Sequence, residues 1–491
     1  MLTPPIARAA PPFDTLGLDP ESSGLANATV AFGRSIGVLQ TNPALLSDVD
    51  QQAYIGFTLI SPQLHARMKP KPSGTDVPVS IYDSDLGATS GVQDRALPTS
   101  ELSQRRGDSR INEVGRRLGV GFASGFGIPK LRIGALFVVP LAGGSAADIT
   151  THYDDEREAA FSNRVHFMRF GEWQPVISAT VGAAYQVLPS LQIGVSGELS
   201  ATAIARLRVY IPDAAVQSYA NTNLASEVST KLRSILGVRW KPLDWLAVGA
   251  VWRNESYFRV DGASEVTLWN QHEAGTDKTI LKRTVLAFPI VFGYEPMQLA
   301  LATGATRGPL TAQIVATWHR WSRYLDQHGN KPQDAAAMPP SPYAQPSVDT
   351  SRYAFSDTAS LQAGVSWRYA RGLDASIGSA WYPSPVPAQI GRTNYVDNTL
   401  LGFTAGHRHE LQVFNRTFVL SAALQLWVML ERITYKDPTQ MVDEFPDAVR
   451  TLESKRVMPE AQGTQSNNPG FPGYRAGGWL TAASVSLAYP F

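Results

Sequence analysis

The sequence contains no cysteine in 491 residues. That excludes disulfides, thiolate metal sites and a cysteine nucleophile, though it leaves the compartment open. Charge is scarce: 17% of residues are Asp, Glu, Lys or Arg, against about 25% in an ordinary soluble chain. The 43 basic and 42 acidic residues cancel to a net charge of +1, which argues against a broad nucleic-acid footprint. No apolar run reaches the roughly 18–20 residues of a membrane helix. The nearest, Phe418 to Leu430, is broken by Ser421 and Gln425. Met1 to Pro12 has no charged stretch followed by an apolar one, so no signal peptide is visible. The chain is then either mature, its leader removed, or cytosolic. Length alone suggests about three domains. With 44% hydrophobic residues and no apolar helix, the apolar side chains need another destination.

Catalytic chemistry is also missing. The eight histidines are scattered, and only His407 and His409 fall two apart, without a third ligand to make a metal site. There is no Gly-x-Ser-x-Gly elbow and no phosphate-binding glycine loop. Asp154-Asp155-Glu156 reads as a solvated run or a cation site among lipopolysaccharide. No cofactor, metal or enzymatic activity is expected.

What is present is alternation. From Leu191 the odd positions read Leu, Ile, Val, Gly, Leu, Ala, Ala, Ala, Leu, Val, and the even ones are mostly polar, ending in Arg206 and Arg208. Successive strand side chains point to opposite faces, so this is one long strand with an apolar and a polar side. The pattern recurs in about 14 segments, near 51–69, 116–126, 131–141, 174–187, 191–209, 230–241, 244–258, 279–295, 309–324, 359–371, 374–383, 399–411, 416–434 and 475–491. The eighth fits more than one register within 279–308. Tight connections at Leu188-Pro189-Ser190, Pro242-Leu243 and Arg371-Gly372-Leu373 alternate with long polar ones at 70–115, 142–173, 325–358 and 435–474. Outer-membrane barrels carry this asymmetry of short inner turns and long outer loops. A soluble sandwich would have shorter strands and no such alternation of loops. The expectation is an all-β, closed, antiparallel transmembrane barrel of about 14 strands, since lipid tolerates no open sheet edge. Trp479, Thr481, Ala483, Val485, Leu487, Tyr489 and Phe491 share one face at the end of the chain, like the assembly signal of Gram-negative barrels. Trp240, Trp245, Trp252, Trp381 and Trp427 read as interfacial girdle residues.

About 50 residues precede the first strand without alternating, and a lumen this wide cannot be filled by its own wall. Ser22-Ser23-Gly24-Leu25-Ala26 is followed by Asn42-Pro43-Ala44-Leu45 just before the first strand. Ser384-Pro385-Val386-Pro387-Ala388-Gln389 follows the eleventh segment, and Trp318-His319-Arg320-Trp321-Ser322 ends the ninth. In this order the motifs resemble the FadL family of outer-membrane transporters of long-chain fatty acids and other hydrophobic compounds. Gly33-Arg34-Ser35-Ile36-Gly37-Val38 departs from that family's acidic stretch at this place.

The resemblance implies a flexible extension over 1–13, a hatch over 14–48 whose motif is Asn42, Pro43, Ala44 and Leu45, and a barrel over 49–491. It implies passive uptake, with substrate leaving sideways through a gap at a kinked third strand. Phe137, Val138, Val139 and Pro140 mark that gate, because proline cannot donate to a ladder. The alternative is that Pro140 merely ends the strand. Arg206, and with it Arg208, would bind the carboxylate of a long-chain fatty acid. The bland reading is that the lumen arginines Arg208, Arg233, Arg239 and Arg368 pair with acids such as Glu198 and Glu255. Apolar residues of the outer loops, Val216, Tyr219, Phe258, Leu268 and Trp269, would contact substrate. Aromatic or alkane hydrocarbons are the alternative cargo. Alternatives of other classes are a receptor or adhesin anchored by the barrel and, without a supporting motif, a barrel lipase. Expected partners are the hydrophobic cargo, outer-membrane lipid with lipopolysaccharide, and the barrel assembly machinery. Nucleic acid is excluded, and a monomer is expected.

Overall fold

The computed structural model describes residues 16, 19–69, 109–112, 114–141, 166–167, 176–210, 221–271, 278–325, 355–390, 395–414, 416–437, 442–443, 465–466 and 472–491. For 203–210, 221–227, 260–271 and 278–292 it describes the backbone alone. Fourteen strands form the wall. They are β1 (Gln52–Met68), β2 (Gly115–Ser124), β3 (Leu131–Leu141), β4 (Ile177–Leu188), β5 (Leu191–Tyr210), β6 (Asn221–Leu243) and β7 (Leu246–Arg253). The second half comprises β8 (Gln298–Arg307), β9 (Leu310–His319), β10 (Thr358–Ala370), β11 (Leu373–Tyr382), β12 (Leu400–Val413), β13 (Arg416–Tyr435) and β14 (Gly473–Pro490). Each strand pairs antiparallel with the next in sequence. β1 pairs with β2 on one side and β14 on the other, so the sheet closes and has no edge.

The expected strand number holds, and two boundaries are corrected. The eighth wall strand is Gln298–Arg307, not 279–295. Lys278–Glu295 instead pairs with Ser256–Gln271 in a separate hairpin beyond the end of β7. Both 279–295 and 298–307 alternate, and the tight Gly308-Pro309 turn into β9 selects the second. The gap expected between the segments ending at 209 and beginning at 230 is also shorter, because β6 already begins at Asn221 and follows β5 up to Tyr210.

The alternation becomes inside and outside. On β5, Ile193, Val195 and Leu199 are exposed, while Gln192, Ser196, Glu198 and Ser200 are buried. Exposed leucines, isoleucines and valines recur around the barrel, as at Leu232, Leu301, Ile314, Ile377 and Leu424. An apolar outer surface on a closed sheet belongs in lipid. Trp240, Trp245 and Trp381 face outward near strand ends as expected, and Trp252 shares the outer parity of β7. Trp427 does not. It points into the barrel at 1% exposure, beside inward-facing Tyr382 at 5.9 Å between ring centres. One residue of parity on β13 separates it from the lipid-facing Leu426.

This arrangement gives a first expected result. Leu424, 66% exposed on β13, faces the bilayer well inside the strand, and Leu424→Arg will cost about 2–4 kcal/mol. Val413→Arg, outward at the end of β12, will cost about 0–1 kcal/mol because an arginine there reaches the interface. Urea unfolding in liposomes reads both. Equal costs at the two positions would contradict the bilayer placement.

Candidate functional site

The inner face is shaped around residues 19–50. Two single helical turns, Pro20–Ser23 and Val38–Thr41, and a 3-10 turn over Pro43–Asp48 occupy the space the strands enclose. They fit because the wall is bare where they touch it. A Cβ on Gly182 would lie 2.9 Å from Leu39, on Gly304 2.6 Å from Phe32, and on Gly378 2.6 Å from the Ala26 nitrogen. Gly194 and Gly249 admit backbone, of Pro43-Ala44 and of Val30 respectively. Inward glycines on β2, β3, β4, β5, β6, β7, β8, β10, β11 and β12 approach the segment in this way.

Polar groups then fasten it. Asn42 is fully buried. Its Oδ1 accepts from the Ala44 N–H at 3.1 Å, capping the 3-10 turn, and its Nδ2 donates to the Val30 and Val238 carbonyls at 2.7 and 3.2 Å. The Asn-Pro-Ala-Leu spelling thus has a local reason. Asn caps and crosslinks, Pro begins the turn, Pro-Ala is slim enough to face Gly194, and Leu45 enters an apolar cluster with Leu39, Leu46, Leu136 and Val138. Arg239 on β6 donates to the Ala31 carbonyl and to Gln192, both at 3.0 Å, and pairs with Asp48 at 2.7 Å. Arg253 on β7 donates to the Gln40 and Thr41 carbonyls at 2.9 and 2.8 Å. Gln313 on β9 exchanges two hydrogen bonds with the Phe32 backbone. Arg34 pairs with Asp374, which also holds Arg368 at 3.2 Å.

The lumen is divided by chemistry. On β1 and β11–β14 it carries one apolar cluster of Ile60, Leu64, Tyr382, Leu400, Trp427, Met429, Tyr474 and Leu480 together with Leu16, beside buried Thr404, Ser421, Gln425 and Ser484 on the same strands. On β4–β9 it is polar, with Ser178, Thr180, Gln192, Glu198, Ser200, Lys231, Arg233, Gln298 and Thr317 buried. Glu295 at the base of the hairpin holds Lys231 at 2.8 Å and Arg233 at 3.0 Å. Arg233 also stands opposite Glu198 in the ladder. For Arg233, Arg239 and Arg368 the pairing with lumen acids is therefore what the structure shows.

Above the lumen lies a cluster of aromatic rings from five separate segments. Tyr294 packs on Trp321, Tyr324 and Tyr257 at 6.0, 5.5 and 6.4 Å between ring centres. Tyr324 stacks on Phe355 at 4.5 Å and meets Tyr395 edge-on at 5.8 Å. Val386 completes the cluster. Burial, with the Glu255 carboxylate beside it, raises the Tyr294 hydroxyl well above its ordinary range, so it stays protonated and donates to Glu255 at 3.4 Å. The two distant sequence motifs meet here. Trp321 belongs to one. In the other, Ser384 Oγ accepts from the Val386 N–H at 3.2 Å and Gln389 Oε1 accepts from the Tyr395 N–H at 3.1 Å. The Ser384–Gln389 stretch is thereby folded across the mouth, with Arg432 donating to the Val386 carbonyl at 2.9 Å.

The expected substrate residues are placed differently from one another. Arg206 and Arg208 stand high in the β5–β6 ladder, opposite Ala225 and Asn223; their side chains lie outside the described residues. Val216 and Tyr219 lie outside them altogether. Leu268 and Trp269 are hairpin residues opposite Lys282 and Ile280, again with backbone only. Phe258 is not a loop residue but a hairpin one, 1% exposed with its ring 5.0 Å from Lys231 Nζ. It fills the upper lumen wall rather than an open groove. At the expected gate, Phe137 and Val138 are paired on both sides, with β2 and with β4. Among the described residues, pairing with β4 stops after Val138, so that Val139, Pro140 and Leu141 pair with β2 alone. Proline interrupts one ladder without bending the strand away from the other.

A closed sheet of fourteen strands with a lipid-facing apolar band, girdle tryptophans and an occupied lumen defines a transmembrane β-barrel of the outer-membrane type. No protein-family model and no curated protein matches the sequence. Among solved structures the chain is similar to a Pseudomonas aeruginosa FadL homologue at 13% identity, covering 96% of this chain and 98% of that one, with TM-score 0.58. It is also similar to a deltaS2 mutant of the TodX monoaromatic hydrocarbon channel at 12% identity, covering 98% and 100%, with TM-score 0.50. The fold is the FadL fold, as the sequence resemblance implies.

Proposed function

We propose that the protein admits hydrophobic molecules across the outer membrane by diffusion, without an energy source and without catalysis. The observation that carries this reading is the aromatic mouth set over a lumen that carries an apolar cluster on β1 and β11–β14. Rings stacked at a barrel entrance offer an apolar cargo the contacts it loses on leaving water. The segment 14–48 serves as the plug; the extension expected over 1–13 lies outside the described residues. A bare anchor for a receptor or adhesin has no use for a plug fastened through ten wall strands.

Long-chain fatty acid is the leading cargo, with Arg206 holding the carboxylate and Val216, Tyr219, Leu268 and Trp269 contacting the chain, while Phe258 backs the wall behind them. Sideways exit beside Val139 and Pro140 is supported by the one-sided ladder there. Neutral aromatic hydrocarbons are the second reading, favoured by one observation: Lys231 and Arg233, the cations below the mouth, are held by Glu295. The test compares oleate and toluene uptake in cells producing each variant. Trp321→Ala with Phe355→Ala will lower uptake of both. Arg206→Ala will lower oleate uptake several-fold and leave toluene unchanged. Oleate uptake untouched by Arg206→Ala would remove the fatty-acid reading, and uptake of both untouched by the aromatic variants would remove the transport reading.

A further inference from the structure

At the opposite end of the lumen, where residues 47–51 meet the turn between β2 and β3, lies a cavity of about 340 Å³. Its lining is unusual in its charge. Lys130 and Arg132 face it together with the amides of Gln51 and Gln186, and no carboxylate lines it. Two donors at this cavity are buried without a hydrogen-bond partner: Arg132 Nε and Ser47 Oγ. Among the described residues, Arg132 forms no ion pair, whereas Arg239, Arg253 and Arg408 in the same lumen are all engaged. A buried guanidinium nitrogen with no acceptor is costly. A hydroxyl without an acceptor in the same cavity points to the same missing chemistry.

The turn is built to hold this shape. Phe126, Gly127 and Lys130 all take left-handed backbone, with φ of 49°, 75° and 66°. Gln51 Oε1 accepts from Ser124 Oγ at 3.0 Å and from the Gly125 N–H at 3.2 Å, and the Lys130 carbonyl accepts from the Gln186 N–H at 3.0 Å. Strained positions persist where the surroundings over-determine them. The Gln51 side-chain oxygen and the Gln186 backbone N–H are thereby engaged, while Arg132 Nε and Ser47 Oγ are left without an acceptor. Ile128, Pro129 and Leu131 give the cavity an apolar side, and Phe126 and Ile128 are 63% and 53% exposed at its rim.

We propose that this cavity binds the oxyanion head group, carboxylate or phosphate, of an amphiphile whose chain lies against the Ile128–Leu131 side. The guanidinium of Arg132 and the Ser47 hydroxyl donate to the oxygens, and Lys130 supplies the second charge. Ser47 belongs to the lumen segment and Arg132 to the wall, so a bound head group bridges the two. This goes beyond the uptake reading, because the chemistry of the cavity stands whatever enters at the mouth.

The absence of cysteine makes a local test clean. Phe126→Cys, 63% exposed and outside the cavity lining, carries a fluorophore at the rim in the full-length protein in a non-ionic detergent. Laurate brominated near its carboxyl, the matching brominated alcohol, and brominated lysophosphatidylglycerol serve as quenchers. Expected is saturable quenching by an anionic quencher, weakened about tenfold or more by Arg132→Gln, the loss of one charge-assisted hydrogen bond. The exposed Lys130→Gln, which no packing depends on, will weaken it in the same direction. The alcohol will quench weakly and equally in all variants. Laurate alone responding assigns the site to a fatty acid, and the lysolipid alone to a membrane phospholipid; both outcomes support the oxyanion site. Quenching by both anions that neither Arg132→Gln nor Lys130→Gln changes would overturn it. If laurate and alcohol fail to enter cells through the mouth, the uptake reading falls while variant-sensitive quenching still supports this site.

Discussion

Replacing Gly194 and Gly249 with valine will unseat the N-terminal segment and leave the barrel closed. Both glycines face inward, on β5 and β7, and both are touched by main chain rather than by side chains that could rotate away. A Cβ at Gly194 would collide with the Pro43-Ala44 backbone, and one at Gly249 with the Val30 carbonyl. Ordinary overpacking costs about 1–3 kcal/mol and is relieved by repacking; here repacking means moving the segment itself. The strands have no reason to object, since a β-branched residue suits a ladder. Gly197 is the control. It has outward parity on β5, and its nearest neighbour is Leu232 at 3.9 Å, so Gly197→Val will behave as wild type. Planar-bilayer conductance and protease cleavage within residues 19–50 are the readouts. The Gly194→Val/Gly249→Val protein will conduct more ions and be cut faster, while heat-modifiable migration on gels still reports a closed barrel. A double variant with wild-type conductance and wild-type protection would show that the segment is held without the glycine seats.

The barrel was legible in the sequence because period-two alternation is a property of single strands. Each strand between two such neighbours must show one face to lipid and the other to the lumen, and the residues say which. What misled was an alternating segment outside the wall. Lys278–Glu295 alternates because a twisted hairpin also has two faces, and only the register of Gln298 against Arg253 decides which strand joins the barrel. Trp427 was misread as a girdle residue for a related reason. Position near a strand end does not fix which side a ring faces, whereas parity against Leu424 and Leu426 puts this one inside.

The candidate site was less legible, for a different physical reason. The aromatic mouth is assembled from the hairpin, the end of β9, the approach to β10, the strap over 384–390 and Tyr395. No local spacing brings Tyr294, Trp321, Phe355 and Tyr395 together. The motifs around Trp321 and Val386 marked two of these segments without revealing that they touch. The glycine seats have the opposite character. Gly182, Gly194, Gly237 and Gly249 look like ordinary curvature residues in alternating strands, and their purpose is visible only once a second segment lies against them. The cavity at Ser47 and Arg132 joins residues 85 positions apart in sequence and was likewise invisible until the turn and the lumen segment met.

Arg239→Met will destabilise the protein by about 2–4 kcal/mol, because it removes the charged donor that several buried acceptors share. The guanidinium is 3% exposed and bonds Asp48, Gln192 and the Ala31 carbonyl at once, while its plane lies 5.4 Å from the Phe32 ring centre. Removing it leaves the Asp48 carboxylate, 31% exposed, with the Gln192 amide at 2.6 Å and Lys241 nearby, and leaves the Ala31 carbonyl facing a methionine. Arg368→Met supplies the contrast. Arg368 is 57% exposed and holds Asp374 at 3.2 Å, and Asp374 keeps Arg34 and Arg408 when it goes. Such an exposed, redundant pair is worth about 0–1 kcal/mol. Urea unfolding in liposomes measures both costs. Asp48→Asn added to Arg239→Met will recover part of the loss, because it removes the charge that has lost its guanidinium and keeps an acceptor for Gln192. If Arg239→Met unfolds within 1 kcal/mol of Arg368→Met, the lumen segment is seated by shape alone. A gap of several kcal/mol that Asp48→Asn narrows would instead show that charge fastens what the glycines admit.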